Sequence, residues 1–373
     1  MDRHQRNANR IIVISFIAFL CIFMVGGILL EDKDTSASER RKLTQAPLLS
    51  GATVISGKYM GSMEDYLLDQ FPGRDVFRVI MAEFDRNVLH KWDTNDYYMA
   101  DGAVFKLDYS MSEKNIQHAA EKFSDIFDKY FAEGNCYYSI IPDKNYFVGE
   151  KYGYPGYDYD RLLDIMGQYM KDSQYIDIFD MLDIDDYYLT DLHWMQTEIV
   201  DVADRLAFAM GAALGSISEK EYENVVASSD FMGGYGGASA FNSRNDELVY
   251  LTNDIISDMK VYDYEKNAYV SVYADEKAEG IDPYDVYLWG ARALLSIENP
   301  NAINDKELVV FRDSFGSSMV PLLAQQYERV ILVDLRYVTA DYAMTLAQPK
   351  PDSDVLFMYS TLLLNNSSSM KLN

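Results

Sequence analysis

Short apolar strands alternating with amphipathic helices predict an α/β fold with a mainly parallel sheet, preceded by one transmembrane helix. Three observations carry this. Residues Ile11–Leu30 form an uncharged apolar run of 20 residues, long enough as a helix to span roughly 30 Å. Leu308–Phe311 is an apolar strand that turns through a Ser/Gly-rich segment into an amphipathic helix. The 373-residue chain is 49% hydrophobic and 14% aromatic, enough for a large core and unlike a disordered chain.

The elements follow in order. Arg3, Arg6 and Arg10 precede the apolar run, and Glu31-Asp32-Lys33-Asp34 follows it. That bias places the N-terminus in the cytoplasm and the rest outside, as a single-pass cell-membrane protein. The run is longer than a signal-peptide core and lacks a small-x-small cleavage site, which favours an uncleaved anchor. Residues 57–92 read as two helices broken at Phe71-Pro72-Gly73. Tyr97–Leu107, with Asp101-Gly102 inside it, reads as a β-hairpin. Helices are expected at 112–133, 158–171, 194–213 and 316–327. Strands are expected at Cys136–Ile141, Tyr175–Phe179, Leu308–Phe311 and Val330–Val333, with short β segments in 247–275. The glycine cluster 233–237 reads as a mobile loop. The expected division is a cytoplasmic tail 1–10, an anchor 11–30, a tether 31–56, a main domain 57–364 and a polar tail 365–373.

Charge narrows the function. The chain has 33 Lys plus Arg against 59 Asp plus Glu, a net charge of −26. Nucleic acid is therefore excluded as the main partner, because phosphate binding needs clustered cations. The 30 tyrosines offer ring and hydroxyl together and suit contact with sugars. Cys21 and Cys136 supply neither a disulfide framework nor a thiolate metal site. The dispersed histidines lack metal-ligand spacing, and the glycine cluster lacks a dinucleotide fingerprint, so neither metal nor cofactor is expected.

Two units supply chemistry. The first is the turn Arg312-Asp313-Ser314-Phe315-Gly316-Ser317-Ser318 after a strand. It puts Ser314 at the C-terminal edge of the sheet, where open α/β folds bind ligands. The amides of the following helix start can hold a developing oxyanion. The same serine also suits an ordinary helix cap. The second unit is Thr190-Asp191-Leu192-His193-Trp194. Asp191 can accept from the His193 Nδ1–H, fix its tautomer and leave Nε2 as a base. Nucleophile, base and orienter together make a serine acyl-transfer site.

These units resemble the DHHW protein family, which is similar to the SGNH-hydrolase-like domains of alginate O-acetylation proteins. Thr190–Trp194 resembles the family's name motif. Arg312–Ser318 with Val320-Pro321-Leu322-Leu323 resembles its serine block, and Val333-Asp334-Leu335-Arg336-Tyr337 the block after it. Weaker matches are Ser38–Leu43, Asp69–Asp75 and Ile141-Pro142-Asp143-Lys144. The resemblance implies an SGNH-like three-layer α/β/α domain with Ser314 as nucleophile, His193 as base and Asp191 as orienter. Leu192 stands where the family has its first histidine. Ala291, in Leu288-Trp289-Gly290-Ala291-Arg292, stands where relatives carry an asparagine suited to an oxyanion hole.

The implied activity is O-acetylation or deacetylation of a cell-envelope polysaccharide, beside a multi-pass membrane O-acyltransferase that supplies the acyl group. Oxyanion or substrate candidates are Gly290, Arg292, Arg312, Lys144, Arg336 and Tyr235, with the cations forming a positive pocket. The alternative is a non-catalytic glycan-binding or assembly module that keeps the fold.

Overall fold

The computed structural model describes residues 3–212 and 215–372. The chain forms two compact units, residues 1–94 with 240–242 and residues 95–239 with 243–373. Residues 57–94, assigned from sequence to the main domain, therefore lie in the first unit.

The first unit begins with helix α1 (Arg3–Leu29), a candidate span by length and composition. A two-residue ladder joins β1 (Thr35–Ser36) to β2 (Arg41–Lys42). Helix α2 (Gly51–Ile55) starts at a Ser50–Thr53 capping box. Helices α3 (Lys58–Asp69) and α4 (Arg74–Asn87) are the expected pair broken at Pro72-Gly73. Gly73 takes φ +73° as the N-cap of α4, a left-handed conformation open to glycine at no cost.

In the second unit, β3 (Tyr97–Ala100) and β4 (Ala103–Lys106) form the expected hairpin. Asp101 and Gly102 both have positive φ, as an Asp-Gly hairpin turn requires. Then come α5 (Glu113–Tyr130), β5 (Cys136–Ile141), α6 (Lys144–Tyr152), α7 (Tyr159–Tyr169) and β6 (Gln174–Tyr175). Helix α8 (Val200–Ala209), strand β7 (Glu223–Phe231), helix α9 (Gly234–Ser239), strand β8 (Asp246–Thr252) and helix α10 (Asp254–Asp258) follow. Strands β9 (Lys260–Asp263), β10 (Ala268–Val270), β11 (Leu294–Glu298) and β12 (Glu307–Arg312) come next, then α11 (Gly316–Leu323). Strand β13 (Arg329–Val333), helix α12 (Ala340–Ala347), strand β14 (Asp354–Ser360) and helix α13 (Thr361–Asn365) complete the unit.

The main sheet has strand order β10-β9-β11-β13-β12-β14-β5-β6. From β13 to β6 the pairings are parallel. The β11, β9 and β10 pairings are antiparallel and extend the other edge. The sheet is thus parallel-rich in a mixed α/β fold, and parallel throughout the half that carries β12. Side chains alternate across it. Leu308, Val310, Leu332 and Leu356 enter one core with residues of α8 and α11. Val309, Phe311, Ile331 and Phe357 enter another with residues of α5, α7 and α12. Both faces are buried, which accounts for near-continuous apolar strands.

Three local expectations change. The glycine cluster read as a mobile loop is helix α9, and Tyr235, Gly236 and Gly237 are buried. The expected strand Tyr175–Phe179 pairs only over Gln174–Tyr175. The helix expected over 194–213 begins at Val200, after a 3-10 turn at Gln196–Glu198, and its expected end at 213 lies outside the described residues. The polar tail packs against the rest of the second unit. Met370 and Leu372 are buried in the second core, Ser367 is fully buried, and the Lys371 N–H donates to the Leu335 carbonyl at 2.6 Å.

Candidate active site

Strand β12 is the sheet position that places the serine. It is flanked by parallel neighbours on both sides, so its C-terminal end lies among the C-terminal ends of β13 and β14. Asp313 leaves the strand and secures the turn. Its Oδ1 accepts from the Phe315 N–H at 3.1 Å, and its Oδ2 accepts from the Ser360 N–H at 2.9 Å and hydroxyl at 2.7 Å. Asp313 thereby ties the end of β12 to the end of β14. Ser314 stands between them, partly exposed.

The histidine arrives from outside the sheet, on the irregular segment before α8. His193 Nε2 lies 2.7 Å from Ser314 Oγ, and Nδ1 lies 2.6 Å from Asp191 Oδ1. With the ring proton on Nδ1, Nε2 is the acceptor for the Ser314 hydroxyl. Asp191 is fully buried. Its Oδ1 also accepts from the His193 N–H at 3.1 Å, and its Oδ2 accepts from the Gly234 N–H at 2.7 Å. The Tyr284 ring stacks on the imidazole, with centroids 3.9 Å apart and planes 7° from parallel. Trp194 joins the two turns: its indole N–H donates to Ser318 Oγ at 2.9 Å, at the start of α11.

The Asp-His segment is held by groups distant in sequence. Asp246 accepts from the Leu189 N–H at 2.7 Å, from the Thr190 N–H at 2.8 Å and from the Thr190 hydroxyl. The Gly233 N–H donates to Thr190 Oγ1 at 2.7 Å, and the Gly236 N–H to the Thr190 carbonyl at 2.8 Å. This explains the glycines. A Cβ on Gly233 would sit 2.3 Å from the Thr190 carbonyl oxygen, and one on Gly236 would sit 2.9 Å from Thr190 Cβ.

Lys144 lies beneath this segment, not in an open pocket. It is buried at the first position of α6, and its Nζ donates to the carbonyls of Val104, Tyr188, Leu189 and Asp191 at 2.7–3.1 Å. Burial pushes its pKa down to about 7, against the opposing pull of Asp191 and Asp246.

A cleft of about 580 Å³ opens over Ser314, lined among others by Tyr97, Lys106, Leu192, Tyr235 and Arg336. Arg336 and Tyr235 therefore reach the site. The Arg336 guanidinium grips Asp334 through Nε at 2.9 Å and Nη2 at 2.6 Å. Burial works against that charge, but the carboxylate more than offsets it and raises the arginine pKa. The cations expected to share a positive pocket do not gather in one: Arg312 and Arg336 share Asp334, at 3.7 Å and 2.6 Å, while Lys144 and Arg292 are engaged elsewhere. Arg312 is fully buried, donating to Ser317 Oγ at 3.1 Å, and burial lowers its pKa. Arg292 lies 3.5 Å from Asp263 and 3.3 Å from Glu265. Gly290 and Arg292 are not among the residues lining the cleft. Gly290 has φ +77°, and a Cβ there would strike Asp285. Lys106, which sequence reasoning passed over, supplies the second cleft cation; the edge of a hairpin far from either motif gave no signal.

The amides after Ser314 are largely occupied. The Phe315 N–H goes to Asp313 Oδ1, the Gly316 N–H to the Asp313 carbonyl and the Ser317 N–H to the Ser314 carbonyl. Among the described residues the N–H of Ser314 itself meets no protein acceptor.

No protein-family model matches the sequence, and no curated protein matches it. Solved structures do share its fold. One is a DHHW family protein from Eubacterium siraeum, with TM-score 0.60 at 18% identity, covering 75% of this chain and 97% of that one. Another is Bacillus cereus PatB1 with a sulfonyl adduct, with TM-score 0.57 at 19% identity, covering 72% and 95%. A second PatB1 structure gives TM-score 0.53 at 18% identity, covering 72% and 96%. At these identities the likeness is one of fold.

Proposed function

We propose that this chain is a membrane-anchored, extracytoplasmic serine acyl-transfer enzyme of SGNH-like three-layer α/β/α fold. In this reading Ser314 is the nucleophile, His193 the base and Asp191 its orienter. The observation that carries it is the unbroken chain of short contacts from Ser314 Oγ through the imidazole to a buried carboxylate, opening on a cleft.

The steps follow from the geometry. The Ser314 oxygen attacks an ester carbonyl while its proton moves to His193 Nε2. The imidazolium is stabilised by Asp191, which three N–H donors hold in place. The Ser314 N–H is the available main-chain donor to the oxyanion. Collapse transfers the His193 proton to the leaving alcohol and leaves acyl-Ser314. A carbohydrate hydroxyl, deprotonated by His193, then takes the acyl group and regenerates the serine. With water as acceptor the same steps give deacetylation.

The acceptor proposed is a cell-envelope polysaccharide. The acyl group would come from a multi-pass membrane O-acyltransferase beside α1, which would anchor the chain with its N-terminus in the cytoplasm. PatB1 has been solved with a sulfonyl adduct, and the same reagent chemistry tests Ser314 directly. Full-length protein treated with a sulfonyl fluoride should gain one adduct mass on Ser314 and lose turnover of an acetyl-ester probe. Equal probe turnover by wild type and Ser314→Ala would sink the proposal.

A second reading, a glycan-binding module without catalysis, is favoured by one observation: three amides after Ser314 are already engaged and Ala291 offers no side-chain donor. It requires glycan binding that survives Ser314→Ala, with no acyl-serine intermediate in wild type.

A further inference from the structure

The first unit wears its apolar residues on the outside. On α4, Val76 is 61% exposed, Ile80 55%, Met81 56% and Phe84 44%, and Val88 just beyond it is 57% exposed. Val76, Ile80, Phe84 and Val88, at spacings of four, form one continuous face with Met81 at its edge. The neighbouring face is charged and internally neutralised. Arg74 meets Glu39 at 2.6 Å, Arg78 meets Glu39 at 3.4 Å, and Arg41 bridges Glu39 and Asp69. A soluble helix turns its apolar stripe inward; this one turns it away from the charges that anchor it.

The elbow between α3 and α4 also touches α1 at a telling depth. Phe71 stacks on Phe23 at 5.0 Å, and Phe77 packs edge-on to the same ring at 5.5 Å. Pro72 lies close to Gly26, where an added Cβ would sit 3.2 Å from the proline ring. At 1.5 Å per residue, Phe23 lies about 10 Å before the C-terminal end of the apolar run, well inside the hydrocarbon zone of a membrane that the run crosses.

We propose that the α3–α4 elbow is sunk into the extracytoplasmic leaflet of the bilayer crossed by α1, with the outward face of α4 against lipid acyl chains. The proposal rests on reading α1 as a span. The occupant is lipid, because the face is continuous with the contact that fixes the elbow beside α1 within the apolar zone. An interfacial helix buries its apolar side about 5–10 Å into the headgroup and acyl boundary, the depth at which Phe71 meets Phe23. Trp92, exposed just beyond α4, suits the interface itself.

The test uses the full chain with Cys21→Ser and Cys136→Ala, reconstituted in phosphatidylcholine–phosphatidylglycerol nanodiscs. A polarity-sensitive dye is attached in turn at Ile80→Cys, Phe84→Cys and Ile17→Cys. Brominated acyl chains quench only dyes they touch. The expected result is blue-shifted emission and loss of most intensity in brominated lipid at all three sites. Quenching at Ile17 without quenching at Ile80 and Phe84 overturns the elbow proposal and leaves the span intact. Emission at Ile80 that is blue-shifted yet unquenched would show a protein cover, a second copy or a membrane partner, and also overturns it. Failure to quench at Ile17 removes both the span and the elbow.

Discussion

The two turns that meet at the candidate site draw on local and distant contacts in different proportions. The serine turn is secured largely by its own neighbours: Asp313 caps Phe315, and the strand-to-helix transition sets the position of Ser314. Its main distant tie is Asp313 to Ser360. The Asp-His turn is closed locally by the Tyr188 N–H to the His193 carbonyl at 3.1 Å and the Met195 N–H to the Asp186 carbonyl at 2.8 Å, but most of its ties are distant. It hangs from Lys144, Gly233, Gly234, Gly236 and Asp246. Ser314 is thus held mainly by its neighbours in the chain, and His193 by its own turn together with many distant contacts. Substitutions far from His193 in sequence should damage catalysis as much as some substitutions near it.

Breaking the comparison at its centre has the largest effect. In Asp191→Asn the imidazole loses its carboxylate, and kcat for ester turnover should fall by about 10⁴-fold with the fold intact. Stopped assays and circular dichroism on the same preparation check both halves. Next comes Gly233→Ala. The added methyl meets the Thr190 carbonyl at 2.3 Å, so the Asp-His turn must shift, and roughly 10²-fold in kcat is expected for a displacement near 1 Å. Gly102→Ala in the hairpin turn meets nothing within 4 Å but strains a φ of +84°, so it should cost some stability and leave kcat unchanged.

Lys144→Met strips four carbonyls of their donor and should cost about 1–3 kcal/mol in urea unfolding, together with part of kcat; Lys144→Arg tests whether charge alone suffices. The pH dependence has a definite sign. The folded-state pKa is pushed down to about 7 from 10.5, so between those values the unfolded chain holds more protons than the folded one. Stability of the wild type relative to Lys144→Met should therefore rise with pH across that window and be flat below it. A relative stability that falls with pH there would refute the buried, weakened ammonium. The smallest effect is Tyr284→Phe. The ring stack on His193 remains and only the 2.9 Å bond to Ser318 is lost, so about 1 kcal/mol of stability and little activity should go.

The same contrast explains what was legible in the sequence. The strands Leu308–Phe311 and Val330–Val333 announce themselves because both faces are buried and their residues are uniformly apolar. The Ser314 and Asp191–His193 positions stand out through chemistry and local spacing. The support for the base does not. Gly233–Gly237 look like a loop because their glycines answer a close approach by Thr190, and no local pattern records a neighbour 43 residues away. Lys144 looks like a turn residue because its acceptors are main-chain carbonyls, which every sequence has. Tyrosine misleads in the same way. Tyr98, Tyr188, Tyr287, Tyr327 and Tyr359 are core residues, and Tyr97 and Tyr235 are the tyrosines that line the cleft. The antiparallel edge of β9, β10 and β11 is set by pairings that short, mixed segments do not specify.

The separation between the two halves of the site also sets an order in time. Ser314 and His193 are 121 residues apart, and the cradle at 233–246 lies between them in the chain. The strand and turn that carry the serine can form from nearby residues, whereas the imidazole is aimed only after several long loops have closed. In a chain still folding, Ser314 is therefore an ordinary alcohol until the last long-range contacts assemble. On the proposed mechanism, reactivity becomes a report of completed folding, and a misfolded copy carries no paired serine.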